Sequence, residues 1–87
     1  MAHIKHFSAR VQASDIAVDD VLYLPNERTT VKVAYIVPGG QDGVAEDALY
    51  FGCHIIKAPS GQGGPGPGDQ TGLYAYLWEL VDLILNP

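Results

Sequence analysis

The stretch Leu73 to Leu85, LYAYLWELVDLIL, constrains this chain more than any other. It reads as the only long helix of the chain, and it is far more apolar than a surface helix needs to be. At 100° per residue, Leu73, Leu77, Leu80 and Ile84 fall on one stripe, the spacing of a core-facing helix. Tyr74, Trp78, Val81 and Leu85 make a second stripe beside it, with Tyr76 and Leu83 flanking the first. Glu79, Asp82 and Asn86 leave only a narrow polar side, so the apolar arc spans roughly 220°, about twice what an amphipathic helix needs. Asp69 and Thr71 supply N-cap candidates, and Asn86-Pro87 supplies a stop. The spacing therefore predicts a C-terminal helix over residues 72–86. Thirteen residues containing Glu79 and Asp82 are too few for a membrane span, which takes about 20 apolar residues.

Upstream, the pattern is that of strands. His3 to Ala13 alternates, with Phe7, Ala9 and Val11 inward. Ser14 to Asp20 reads as a polar turn in which Ser14 or Asp15 caps a single helical turn. Val21–Leu24 is a short apolar strand, and Pro25 to Arg28 a turn. Thr29 to Val37 alternates cleanly, placing Val31, Val33, Tyr35 and Val37 on one face. Pro38 to Asp47 is a loop. Ala48 to Lys57 is a strand with Leu49, Phe51, Cys53 and Ile55 on one face and Tyr50, His54 and Ile56 on the other. Gly52 interrupts it, which points to a bulge or a close backbone approach. Residues 59–71, rich in glycine and proline, read as a mobile loop carrying the chain from the sheet to the helix. Strands followed by one helix predict a single α+β domain: a four-stranded, mainly antiparallel sheet in residues 1–58 with the helix packed on one face.

Composition excludes several functions. The 87 residues carry a net charge of −5 with only five lysines and arginines, which opposes binding to nucleic acid or anionic lipid. The single cysteine, Cys53, precludes an internal disulfide and fits a reducing compartment. No apolar run follows the basic residues of MAHIKHFSAR, so the start does not read as a signal peptide and a cytoplasmic location is expected.

Candidate chemistry is sparse. Gly61 to Gly66 matches G-x-G-x-x-G after a strand and before the expected helix. No further strand follows, however, and Pro65 and Pro67 lack the N–H groups a phosphate would need. Cys53 and His54 are adjacent on a strand, so they face opposite ways and cannot form a nucleophile pair. His3, His6 and His54 follow no metal-ligand spacing. The acidic residues of the turns, Asp15, Asp19, Asp20, Asp42, Glu46 and Asp47, fit no calcium-loop pattern. No catalytic residue, metal or cofactor is expected.

One constellation remains: His6, Arg10, Lys32, Tyr50 and His54, basic and aromatic groups on the uncovered sheet face, as a ligand-binding set. An ordinary solvated face is the favoured explanation, since isolated exposed polar residues need no further reason. The over-apolar helix predicts self-association, most simply as a dimer, through Tyr74, Trp78, Val81 and Leu85. The leading functional expectation is a non-enzymatic oligomeric interaction module. The alternatives are a small-ligand binder or minor enzyme with a pocket between sheet and helix, using Tyr50, His54 or Tyr76, and a small acidic inhibitor or accessory protein of a mobile genetic element that docks on a basic surface.

Overall fold

The computed structural model describes residues 8–59 and 66–85. They form six strands and one 3-10 turn: β1 Ser8–Gln12, the turn Ala13–Asp15, β2 Val21–Leu24, β3 Thr29–Val37, β4 Ala48–Lys57, β5 Gln70–Tyr76 and β6 Leu80–Ile84. All pairings are antiparallel, in the order β1-β6-β2-β3-β4-β5. The fold is all-β, not α+β, and the sheet has six strands rather than four.

The C-terminal helix is the main correction. The stretch predicted to be one helix is two strands joined by a turn at Leu77, Trp78 and Glu79. Its residues alternate: Leu73 and Ala75 face the core while Tyr74 and Tyr76 face out. Val81 and Leu83 likewise pack against the core, while Leu80 and Asp82 lie on the other face of β6. A run this apolar satisfies period 2 as well as period 3.6. Tertiary pairing decides between them, and its Tyr, Trp, Val and Ile content suits a strand. The turn has no glycine or proline to announce it. Instead the Tyr76 N–H donates to the Glu79 carboxylate (3.1 Å), and the Glu79 N–H donates to the Tyr76 carbonyl (3.0 Å).

That turn bends the whole sheet. In a flat sheet β5 and β6 would stand four strand spacings apart, about 19 Å. A turn closed by a hydrogen bond from residue i+3 to residue i holds its ends within about 7 Å. The sheet must therefore roll up, and hydrogen bonds close one end of the roll. The Leu77 N–H donates to Asp47 O (2.9 Å), Ser14 N–H to Leu77 O (3.1 Å), and Ala13 N–H to Glu79 O (2.8 Å). The result is a partly open barrel.

Its interior is built from cross-strand rows. Ala9, Leu83, Leu22, Val31 and Ile55 are successive partners across β1, β6, β2, β3 and β4. With Val33, Phe51, Cys53, Ala75, Ala13 and Ile16 they surround a core in which Phe51, Leu22, Val31 and Val33 are fully buried. The bounds of β2, β3 and β4 are those the alternation predicts. The face of β3 is not. A register shift between Val33 and Tyr35 makes Ala34 a bulge residue, so Ile36 turns inward and Tyr35 and Val37 turn out.

The expected mobile loop 59–71 falls partly on residues 60–65, outside the described set. Its last part is hydrogen-bonded to β4: Gly68 N–H donates to Ile55 O (2.8 Å) and Ile55 N–H to Asp69 O (2.8 Å). Gln70 and Thr71 already belong to β5. Among the described residues no helix is long and apolar enough to cross a membrane.

Candidate functional site

Rolling the sheet leaves an outer face, and β3, β4 and β5 use it unusually. Register aligns three rows there: Lys32, His54 and Gln70; then Tyr35, Gly52 and Gly72; then Val37, Tyr50 and Tyr74. The tyrosines sit next to glycines for a steric reason. A Cβ on Gly52 would lie 2.2 Å from Cζ of Tyr35, and one on Gly72 would lie 2.1 Å from the Tyr50 hydroxyl. Each ring thus reaches over the neighbouring strand and rests on bare backbone, a contact no other residue type would permit.

The rings also touch one another. Tyr35 and Tyr50 have centroids 6.3 Å apart at 46°, and Tyr50 and Tyr74 4.7 Å apart at 54°. Further along β5 and into the turn, Tyr76 and Trp78 stack at 5.0 Å and 5°. Five aromatic side chains therefore run along one side of the molecule. Exposure is 54% for Tyr35, 65% for Tyr74, 50% for Tyr76 and 58% for Trp78, whereas among the described aromatic residues Phe51 alone is buried in the core.

Beside the tyrosines lies a shallow hollow of about 370 Å³, bounded by Tyr35, Tyr50, His54, Gln70 and Thr71 with Gly52 and Gly72 as its floor. Its rim offers phenol, imidazole, amide and hydroxyl groups. Tyr50 has its pKa raised, first by desolvation and then by the neighbouring Tyr35 and Tyr74, so at neutral pH it is a phenol able to donate. Under the sheet Cys53 is buried, and desolvation pushes its thiol up to about 11. That makes it an apolar filler and not a nucleophile. His54, one residue on, is exposed on the opposite face.

Of the residues expected to bind a ligand, four are described, and they do not share a single cross-strand row. Lys32 and His54 are direct cross-strand neighbours, and Tyr50 lies two residues beyond Gly52 on the same face. Arg10 belongs to a different row, Arg10, Asp82, Tyr23, Thr30 and Lys57, where its Nε pairs with the Asp82 carboxylate at 3.3 Å. That row borders a second hollow of about 570 Å³, lined by Tyr23, Arg28, Lys57 and Asp82 among others. His6 lies outside the described residues. Of the residues expected at an interface, Tyr74, Trp78 and Leu85 are exposed, while Val81 is half-buried and packs against the core.

Tyr35 is the surface residue that sequence reasoning left out, and Tyr76 was expected in a pocket between sheet and helix rather than on an outer strand face. The Ala34 bulge concealed the first. The alternation Tyr74, Tyr76, Trp78 would have revealed the second once the segment was read as strand. Among the described residues no three His, Cys, Asp or Glu groups gather in a way that could hold a metal. No family model, no curated protein and no solved structure matches the chain.

Proposed function

We propose that this protein is a non-enzymatic interaction module that engages a protein partner, in the first place another copy of itself, through the aromatic side of its barrel. One observation carries this reading: four of the five aromatic residues on that side are half exposed or more. Keeping large aromatic surfaces in water is unfavourable, and contiguous apolar patches of this kind mark contact sites. Tyrosine and tryptophan are also the usual anchors of protein interfaces, each pairing a broad apolar ring with one polar atom. The acidic net charge directs the module away from phosphate-bearing partners.

Trp78 is the only tryptophan, so its fluorescence reports on this side alone. Acrylamide quenching measured across a concentration series should weaken as the protein associates. Quenching that stays the same from dilute to concentrated solution, together with a constant sedimenting mass, overturns the reading.

A second reading rests on the 370 Å³ hollow beside Tyr35, Tyr50 and His54, whose phenol, amide and hydroxyl groups suit a small uncharged ligand. A thermal-shift screen of uncharged small molecules tests it, with stabilisation abolished by Tyr35→Ala as the supporting result.

A further inference from the structure

The two edges of the sheet differ in a way that names a partner. β1, at one edge, has five residues and carries the charged, exposed Arg10 in its centre. β5, at the other edge, runs for seven residues, Gln70-Thr71-Gly72-Leu73-Tyr74-Ala75-Tyr76, with no charged side chain, no proline and no break in its register with β4. Natural sheets guard their edges with charge, proline, bulges or short strands, because an open edge pairs with other chains. β5 has none of these guards.

The hydrogen bonds show which groups are open. The β4–β5 ladder is bonded from Ile55 with Asp69 to Leu77 with Asp47. Bonded and non-bonded pairs alternate along an antiparallel ladder. Leu73 and Ala75 therefore bond to β4, while the N–H and C=O groups of Gln70, Gly72, Tyr74 and Tyr76 point away from it. The N–H of Tyr76 is already taken by Glu79. Among the described residues, those of Gln70, Gly72 and Tyr74 have no partner. This open set is symmetric about Gly72.

We infer that β5 pairs antiparallel with β5 of a second copy, with Gly72 on the twofold axis. In that register Gln70 of each copy faces Tyr74 of the other, Gly72 faces Gly72, and every open group of the three residues is bonded. Moving the axis to Leu73, a register change of two residues, would instead oppose Gln70 to Tyr76, whose donor is spent. The absence of charge on β5 suits contact between two chains that each carry −5. The pairing also joins the two tyrosine faces into one continuous surface across the axis, and a closed twofold contact leaves no open β5 edge to recruit further copies.

The inference rests on the reading of the protein as an interaction module, and the test separates the two. Wild type should sediment at twice the 9.3 kDa chain mass. Tyr74→Pro removes an N–H that no internal bond uses, so it should sediment as a folded monomer. Tyr74→Ala loses the ring but keeps the N–H, and should remain a dimer at high concentration. Gln70→Pro tests the same edge away from the aromatic side and should match Tyr74→Pro. In wild type the amides of Gly72 and Tyr74 should exchange as slowly as those of Leu73 and Ala75; in the proline variants only Leu73 and Ala75 should stay protected. A dimer that survives both proline variants, or fast exchange at Gly72 and Tyr74 within the dimer, overturns the edge pairing and leaves the module intact. A monomeric wild type overturns both.

Discussion

The contact between Tyr35 and Gly52 makes a quantitative prediction. Tyr35 is 54% exposed, so a little under half of its surface is covered. For a side chain of about 200 Å² that is roughly 90 Å², worth about 2 kcal/mol at ~25 cal/mol per Å². Tyr50 and the rest of the sheet share it, leaving about 1 kcal/mol for the ring on the glycine backbone. In Gly52→Ala the new Cβ would meet three ring carbons at 2.2 to 2.7 Å, so the ring must lift away. The variant then loses about 1 kcal/mol of contact and gains about 0.5–1 kcal/mol from its stiffer unfolded chain. The net change should be within about 0.5 kcal/mol of zero. Tyr35→Ala alone should cost about 1–2 kcal/mol. Combined with Gly52→Ala it should cost about 1 kcal/mol less. Urea unfolding of the four proteins, followed by far-ultraviolet circular dichroism, measures this cycle. Effects that add to within ~0.3 kcal/mol would refute the idea that the glycine exists to seat the ring.

Other outcomes follow from the same packing. Phe51→Ala, at the centre of the barrel, should cost about 3–5 kcal/mol, a large part of the 5–15 kcal/mol typical of a whole domain, and chemical denaturation will show it. Arg10→Ala breaks only an exposed ion pair at 3.3 Å and should change stability by less than about 1 kcal/mol, and by less still in high salt. Cys53 has a folded-state pKa raised from 9.0 to about 11, so the folded state holds its proton more tightly than the unfolded state. Its contribution to stability is complete below pH 9 and declines as pH rises from 9 to about 11; Cys53→Ser should flatten that decline in a pH series of melts. At neutral pH the native thiol should resist iodoacetamide until the protein is unfolded.

Much of the barrel was legible in the sequence, because β3 up to Val33 and much of β4 set polar residues between apolar ones, and β2 is a short apolar run between turns. Thr29 to Val33 and Ala48 to Lys57 each leave a solvent-facing polar residue between buried ones, and only one secondary structure fits. The segment after Leu73 was illegible for the opposite reason. Its outer residues are aromatic or aliphatic instead of polar, so alternation between inside and outside leaves little trace in hydropathy. The same exposed rings that hid the strand make up the candidate site. Tyr50 and His54 could be placed on the outer face from β4 alone. Their partners Tyr35 and Tyr74 could not, since one depends on the Ala34 bulge and the other on the register of β5 against β4. The row that Arg10 occupies, apart from that of Lys32, was not legible either, because it depends on the insertion of β6 between β1 and β2.

That insertion also sets an order of events during folding. β2, β3, β4 and β5 can form as a meander of neighbours, but β1 has no partner in the sheet except β6, and Arg10 meets Asp82 across 72 positions of sequence. Contacts between such distant residues are costly to close and slow to form. On the ribosome, β1 is made before β6 and lacks its sheet partner until Leu80 to Ile84 has been synthesised. Until then the β2 edge and the apolar side of β1 stay open to chaperones and to other nascent chains. Completion of this fold should therefore be a late, all-or-none step, and a chain shortened before Leu80 should fail to hold β1 at all.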